Sequence, residues 1–362
     1  MANEKPYQRR ILISPLNWGL GHATRLVPII DALLQQGHYV LLAGESPALD
    51  VLIEAFPDLD WVTLKGHRIK LSGGNSQWFK LVQQAPRFLL SIYQEFRLTQ
   101  EIIENHSIDL IVSDNRYGVR SNKVPSILIT HQTKPFIGKH FSSLQAVSNL
   151  ISKKLICCFN ECWIPDDEKH RLAGSLSEQL KGISTRYIGL LSRLAVRKQV
   201  YQHEDTIDVL VLLSGPEPQR TRLEQQLLAL LQNTNYETLI LSGQPQAAIR
   251  KIGKITLLPH CEAARQEAMM HKAKFIICRS GYSSLMDLMH CRRKALLIPT
   301  PGQFEQELLA QRMAEHFGFD CVEQSKLSAD TLKAFFIKKQ TFPSVFKLQS
   351  FILPALISPF DP

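Results

Sequence analysis

Three short stretches decide the fold: Ile11-Leu-Ile-Ser14, Gly19-Leu-Gly21-His22-Ala-Thr-Arg25 and Tyr39-Val-Leu-Leu-Ala43. The first is a short apolar run of the kind a buried parallel strand needs. A loop with Gly19 and Gly21 follows, and apolar residues then recur at helical spacing from about Ala23 to Gln36. Gly37 stands where a helix stops, because glycine accepts the left-handed backbone of a C-terminal cap. The third stretch is the next strand. Strand, glycine loop, helix and strand open a Rossmann-like parallel sheet. Asp109-Leu-Ile-Val-Ser113 and Ser126-Ile-Leu-Ile-Thr130 extend it as further buried strands.

The pattern restarts near residue 207. Asp208-Val-Leu-Val-Leu-Leu213 reads as a strand, Ser214-Gly-Pro-Glu-Pro218 as a loop, and Leu223 to Leu231 as a helix. Glu237-Thr-Leu-Ile-Leu241, Ile255 to Leu258, Phe275 to Cys278 and Ala295 to Ile298 follow as strands. The expected organisation is an N-terminal Rossmann-like domain over 1–190 and a polar linker over 191–207. A C-terminal Rossmann-like domain spans 208–342, and a tail over 343–362 packs back on the first domain. The class is α/β, with a cleft expected between the carboxyl ends of two parallel sheets, where such sheets bind ligands.

Length and composition agree. At about 100–200 residues per domain, 362 residues suit two domains. A 44% hydrophobic and 21% charged chain is neither disordered nor a coiled-coil rod. No apolar run nears the roughly 20 residues that span a bilayer. Phe351 to Ile357 is short and contains Pro354, and Ile11 to Leu16 is too short for a secretory signal. A cytosolic protein is expected. Seven Cys, with no C-x-x-C pair, fit reduced thiols, and Cys157, Cys158 and Cys162 read as buried apolar thiols.

The net charge is +9, which suits an anionic partner. Between Asn115 and Asn160 there is no acid, but Arg116, Arg120, Lys123, Lys134, Lys139, Lys153 and Lys154. From Lys65 to Arg97, Arg68, Lys70, Lys80 and Arg87 face only Glu95 and are interleaved with Trp78, Phe79, Phe88, Leu89, Leu90, Ile92, Tyr93 and Phe96. These stretches suggest an anionic membrane surface. Nucleic acid is not expected, because no recognition motif accompanies the charge.

Three loops at strand ends carry candidate chemistry. His22 follows Gly19 and Gly21 at a helix start and is placed to take a proton from a hydroxyl. Cys278-Arg279-Ser280-Gly281-Tyr282-Ser283-Ser284 opens a helix after a strand, where backbone N–H groups favour an anion. Asp287 lies one turn further in, suited to ribose hydroxyls. Pro299-Thr-Pro-Gly302-Gln-Phe-Glu305-Gln306-Glu307 follows another strand, and its polar side chains suit a sugar. His131, at a strand end, is a further acceptor contact. Asp58-Leu-Asp60, the one D-x-D, reads as a turn before a strand rather than a metal pair.

Ile277-Cys-Arg-Ser-Gly281, Asp287, Ala295-Leu-Leu-Ile-Pro299 and Glu305-Gln306 together resemble the donor-binding half of glycosyltransferase family 28. Gly19-Leu-Gly-His-Ala-Thr-Arg25 resembles the glycine-rich loop of that family's N-terminal domain, and Ile188-Gly-Leu190 the stretch that closes it. The family includes the N-acetylglucosaminyltransferase of the lipid-linked peptidoglycan intermediate. The resemblance implies a GT-B fold, a UDP-sugar donor, a sugar or lipid-linked acceptor at the inner membrane face, and no catalytic metal or other cofactor. It implies that Ser280 to Ser284 hold the diphosphate, with Tyr282 and Ser283 among them, and that Asp287 replaces a ribose-binding Glu. The main chain around His260 would meet the base, Glu305, Gln306 and Glu307 the donor sugar, and His22 would be the base. The family's Gly-rich first C-terminal loop is here Ser214-Gly215-Pro-Glu-Pro-Gln-Arg220, with Arg220, alongside Arg279, as the expected phosphate cation. Alternatives are a nucleotide-sugar hydrolase of the same fold, an epimerase, and a non-catalytic membrane adaptor.

Overall fold

The computed structural model describes residues 8–66, 77–138, 142–169, 172–196, 207–244, 247–343, 349–354 and 356. Arg68, Lys70, Lys139 and residues 197–206 of the expected linker lie outside this set, as do the side chains of Trp78, Phe79 and Lys80. The chain forms two units. One is built mainly from residues up to Leu191 and takes in the C-terminal segment, and the other begins at Ser192.

The first unit alternates β1 (Arg10–Pro15), α1 (Gly21–Gln35), β2 (Tyr39–Gly44), α2 (Ala48–Ala55), β3 (Trp61–Thr63), α3 (Gln77–His106), β4 (Leu110–Asp114), β5 (Ser126–Ile129), α4 (Ser142–Ile156), β6 (Glu161–Ile164) and β7 (Ser184–Tyr187). Its parallel sheet has the order β3-β2-β1-β4-β5-β6-β7. Every residue of β4, β5 and β6 is buried, as continuous apolar strands require when helices cover both faces. α1 buries Leu26, Ile29, Ile30 and Leu33 along one face, and Val27 and Pro28 beside them, so most of its surface is covered. Ile103 of α3 joins Leu12, Leu41, Ala43 and Ile111 in a core cluster. Fully burying each Leu or Ile among them contributes about 1.5–3 kcal/mol.

The end of α1 follows from one residue. Gly37, at φ +82°, lets its N–H reach the Leu34 carbonyl (2.9 Å) and lets His38 N–H reach the Leu33 carbonyl (3.1 Å). This closes the helix by the left-handed motif that glycine permits. A second close approach occurs at Gly189, where an added Cβ would lie 2.3 Å from the Ser350 carbonyl oxygen. The C-terminal segment runs beside it, with Leu190 N–H on the Gln349 carbonyl and Ile352 N–H on the Ile188 carbonyl.

The second unit contains β8 (Val209–Leu212), α5 (Gln219–Leu231), β9 (Thr238–Leu241), β10 (Arg250–Ile252), β11 (Ile255–Leu258), α6 (Ala263–Lys272), β12 (Phe275–Cys278), α7 (Tyr282–His290), β13 (Leu296–Leu297), α8 (Phe304–Phe317), β14 (Asp320–Cys321) and α9 (Ala329–Phe336). The order is β10-β11-β9-β8-β12-β13-β14, parallel except for β10 against β11. Val209, Val211, Leu223, Leu227, Ile240, Ile277, Phe335 and Phe336 share its core. Strand order reverses between β1 and β4 in the first sheet and between β8 and β12 in the second. At such a reversal the loops leave in opposite directions and open a crevice beyond the strands' carboxyl ends.

Several local expectations shift. α1 starts at Gly21, so His22 is a helical residue, and α5 starts at Gln219 rather than Leu223. β4 runs one residue later than expected, which makes Asp114 its last residue. Cys157 and Cys158 are exposed and, of the three, only Cys162 is buried, because Ile156 at the end of α4 and Phe159 beyond it take the inward positions. Asp58 and Asp60 are exposed and precede β3, at the sheet edge opposite the strands' carboxyl ends.

Candidate functional site

In the first unit, β1 pairs with β4, and Pro15 lies opposite Asp114. The loop after β1 therefore returns its helix start to the end of β4. His22 Nδ1 lies 3.2 Å from Asp114 Oδ1. Arg25, one turn along α1, donates Nε to Asp114 Oδ2 at 2.7 Å, and its Nη2 to Oδ1. Arg25 Nη1 also reaches His131 Nδ1 at 3.1 Å. Asp114 and Arg25 are buried, while the His22 side chain keeps 16% of its surface.

Burial disfavours the Asp114 carboxylate, but Arg25 and then His22 outweigh it and hold the carboxyl below its ordinary range. Burial likewise disfavours imidazolium at His22. Asp114 offsets part of that and Arg25 adds to it, so the His22 pKa falls below 6.5. An ionised Asp114 only accepts, so Nδ1 of a neutral His22 carries the proton and Nε2 keeps its lone pair. The set can accept a proton at Nε2 without rearrangement.

Gly19 lies in the left-handed region (φ +89°), with nothing within 4 Å of an added Cβ. Asn17 pins this loop, donating Nδ2 to the Ser46 carbonyl at 2.8 Å and accepting Ala48 N–H at Oδ1 (3.3 Å). Trp18, between Asn17 and Gly19, stays 45% exposed.

In the second unit, three helices start beyond the carboxyl ends of β8, β12 and β13. α5 follows Ser214 and Gly215, and Gly215 is left-handed (φ +101°). Its start is already served by Glu217, which accepts Thr221 N–H and Arg220 Nε. α8 carries Glu305 and Glu307 in its first turn. α7 has no acid in its first turn and no side-chain cap, and Gly281 stands at its cap in extended backbone. An added Cβ at Gly281 meets nothing within 4 Å, and Ser283 and Ser284 are half-buried. With no acid in its own first turn, the start of α7 keeps a positive dipole end that favours an anion.

Other expected contacts are engaged elsewhere. Arg220 is buried, and its guanidinium donates to Glu217, Glu224, Thr221 and the Ser242 carbonyl. It braces α5 and is not available as a phosphate cation. Arg279 is buried too, and donates to the Ile298, Pro299 and Gln219 carbonyls. Burial pulls its pKa down to about 10. Ser280 Oγ donates to the Gln306 carbonyl at 2.8 Å. Gln306 is buried and accepts Thr300 N–H at 2.9 Å, while the exposed Glu307 accepts Gly302 N–H at 3.1 Å through one carboxylate oxygen, so both hold the 299–303 loop. Glu305 is half-buried in the same turn. His260, just after β11, lies half-buried with Nδ1 3.3 Å from the Cys261 carbonyl. Asp287 accepts from Ser192 Oγ at 2.6 Å and Gln266 Nε2 at 3.5 Å, and burial raises its pKa.

Among the described residues, Arg279 Nε and Thr300 Oγ1 are buried without a protein partner. Both belong to loops that gather at this edge, and Thr300 Oγ1 is 3.7 Å from the Cβ position of Gly215. Thr300, Asp114 and Trp18 have no role in the sequence reading. The signal for Asp114 is a lone acid closing an apolar strand.

Residues 217–341 match the model of the glycosyltransferase family 28 C-terminal domain. No curated protein matches the chain. Among solved structures, the glycotransferase of kitacinnamycin is 12% identical with a TM-score of 0.67, over 92% of this chain and 90% of its own. Arabidopsis thaliana UGT89C1 complexed with UDP-L-rhamnose is 13% identical with a TM-score of 0.60, over 91% of this chain and 90% of its own. Acinetobacter baumannii MurG is 14% identical with a TM-score of 0.55, over 91% of this chain and 90% of its own. At these identities the likeness is one of fold.

Proposed function

We propose that this chain, a family 28-like member of the GT-B glycosyltransferases, transfers a sugar from a UDP-sugar of the N-acetylhexosamine type to a hydroxyl acceptor, with inversion. The observation that carries the reading is the neutral His22 imidazole, oriented by the buried Asp114 carboxylate at the first sheet's strand reversal. In direct displacement the acceptor oxygen bonds to the anomeric carbon as the bond from that carbon to the phosphate oxygen breaks. The acceptor proton passes to His22 Nε2, and Asp114 stabilises the imidazolium that results. The bond pair leaves with the nucleoside diphosphate. The α7 start, with Gly281, Ser283 and Ser284, supports the reading as the place for its charge. Trp18 offers an exposed ring of the kind that stacks on a sugar.

A lipid-linked acceptor is part of this reading. α4 exposes Val147, Leu150 and Ile151 on one helical face, with Lys154 next along it. α3 exposes Leu89, Leu90 and Tyr93, with Arg97 a turn further. These residues support weak docking on an anionic membrane surface. All but Val147, Leu150 and Ile151 are singled out in the two basic stretches of the sequence, but other residues of those stretches are engaged: Phe88 packs edge-on against Tyr117, and Phe96 lies beneath Arg120. Arg116 is buried on Glu95, while Lys123 and Lys134 pair with Glu104 and Glu178. No helix among the described residues is long and apolar enough to cross a membrane.

The test is a panel of nucleotide sugars incubated with the protein, with and without membrane lipid extract, reading nucleotide release. Release from a UDP-sugar that depends on lipid is expected. Equal release without lipid replaces the transferase by a hydrolase, and no release from any donor removes the reading.

A further inference from the structure

A second cluster of chemically active side chains lies at the far end of α7, and the proposed transfer does not use it. Glu267 and His271 stand four residues apart on α6, so they share one helical face. α7 ends at His290, and Cys291 caps it. One donor atom each from Glu267, His271 and Cys291 lies within 4.8 Å of the other two. Glu267 Oε1 is 3.9 Å from His271 Nε2 and 3.3 Å from His290 Nε2. The two helix ends are tied independently of these groups: Arg293 donates Nη1 to the His271 carbonyl at 2.6 Å, and Nη2 to the Ala273 carbonyl. Cys291 faces inward at 3% exposure, while His271 is exposed and free to adjust its torsions.

Carboxylate, imidazole and thiol converge here from two helices. Magnesium and calcium select all-oxygen sites, whereas thiolate with imidazole selects ions of the zinc class. Bond lengths of about 2.0–2.3 Å to nitrogen, oxygen and sulfur place tetrahedral donors roughly 3.3–3.8 Å apart. The cluster needs to contract by only about an ångström to reach that geometry. We propose that Glu267, His271 and Cys291 bind one zinc-class divalent ion, with water completing its coordination, that pins the end of α7 to α6. Binding releases the Cys291 thiol proton to solvent and takes the His271 imidazole in its neutral form.

Cobalt(II) is the probe. The reduced full-length protein, stripped with a chelator, is titrated with cobalt(II) and read for the thiolate-to-cobalt charge-transfer band. One cobalt per chain is expected, displaced by zinc. Cys291→Ser should abolish the band. His271→Ala, at an exposed position that keeps the fold, should weaken cobalt binding at least tenfold. A Cys157→Ser, Cys158→Ser double variant should leave it unchanged, because those exposed thiols lie in the other unit. Absence of the band in the unaltered protein overturns the proposal. So does a band that survives Cys291→Ser, or cobalt affinity that His271→Ala does not move.

Discussion

His22 Nδ1 and Asp114 Oδ1, 92 positions apart in the chain, meet at 3.2 Å at the strand reversal of the first sheet. The contact fixes which imidazole nitrogen carries the proton and leaves the other basic. His22→Ala should lower turnover by about a hundredfold or more while donor affinity stays within about twofold. Asp114→Asn should also lower turnover, since an amide no longer enforces the tautomer or supports the imidazolium. Steady-state kinetics with calorimetric donor binding checks both. Unchanged turnover in His22→Ala removes it from the chemistry.

The pH profile follows from the His22 shift. Burial lowers its pKa below 6.5, so the neutral base persists at pH values where an ordinary histidine is half protonated. The acid limb of turnover should therefore fall below pH 6.5 and be absent in His22→Ala. The same shift affects stability. A buried histidine whose folded pKa is depressed binds fewer protons folded than unfolded, so stability is full above 6.5 and declines as pH falls toward the folded value. Asp114, also depressed, adds a loss that begins only below its unfolded value near 3.8. Urea unfolding at stepped pH checks the sequence of losses.

Arg220 offers a separation of stability from binding. Its guanidinium is buried between Glu217 and Glu224. Arg220→Met should destabilise the protein toward the lower end of about 3–5 kcal/mol, since Arg250 still pairs with the other carboxylate oxygen of Glu224. Donor affinity measured on the folded fraction should not change. A selective loss of donor affinity with intact stability would restore Arg220 as a phosphate ligand.

Gly281 gives opposite signs for the same two quantities. Aspartate is a favoured N-cap, and a Cβ here meets open space, so Gly281→Asp should leave thermal stability equal or slightly higher. Its carboxylate would lie where the diphosphate charge is assigned. Donor affinity should fall at least tenfold. Equal affinity would move the diphosphate away from the α7 start.

On α4, Leu150→Glu with Ile151→Glu replaces two exposed apolar side chains by acids. Co-sedimentation with anionic vesicles at low salt should drop severalfold, with secondary structure unchanged. Recovery that is the same with neutral vesicles, before and after the substitution, leaves a soluble acceptor as the better reading.

The sheet strands, the glycine stop at Gly37 and the restart near residue 207 were legible because they depend on neighbours within a few residues. Apolar runs report burial, and a left-handed cap reports glycine. Which polar side chains face a ligand is a different matter, because it depends on partners distant in sequence. Arg116 reads as a surface cation until Ser14, 102 positions away, and Glu95 take its nitrogens. Arg220 and Gln306 read as ligand contacts until the elements around them take up their buried polar atoms. Asp114 carries no signal beyond closing an apolar strand, yet it orients His22. By itself the sequence determined two Rossmann-like halves and the loops at their strand ends. Only the tertiary structure decided which charges there are spent on the fold, because a hydrogen bond is made over 3 Å of space and not over distance along the chain.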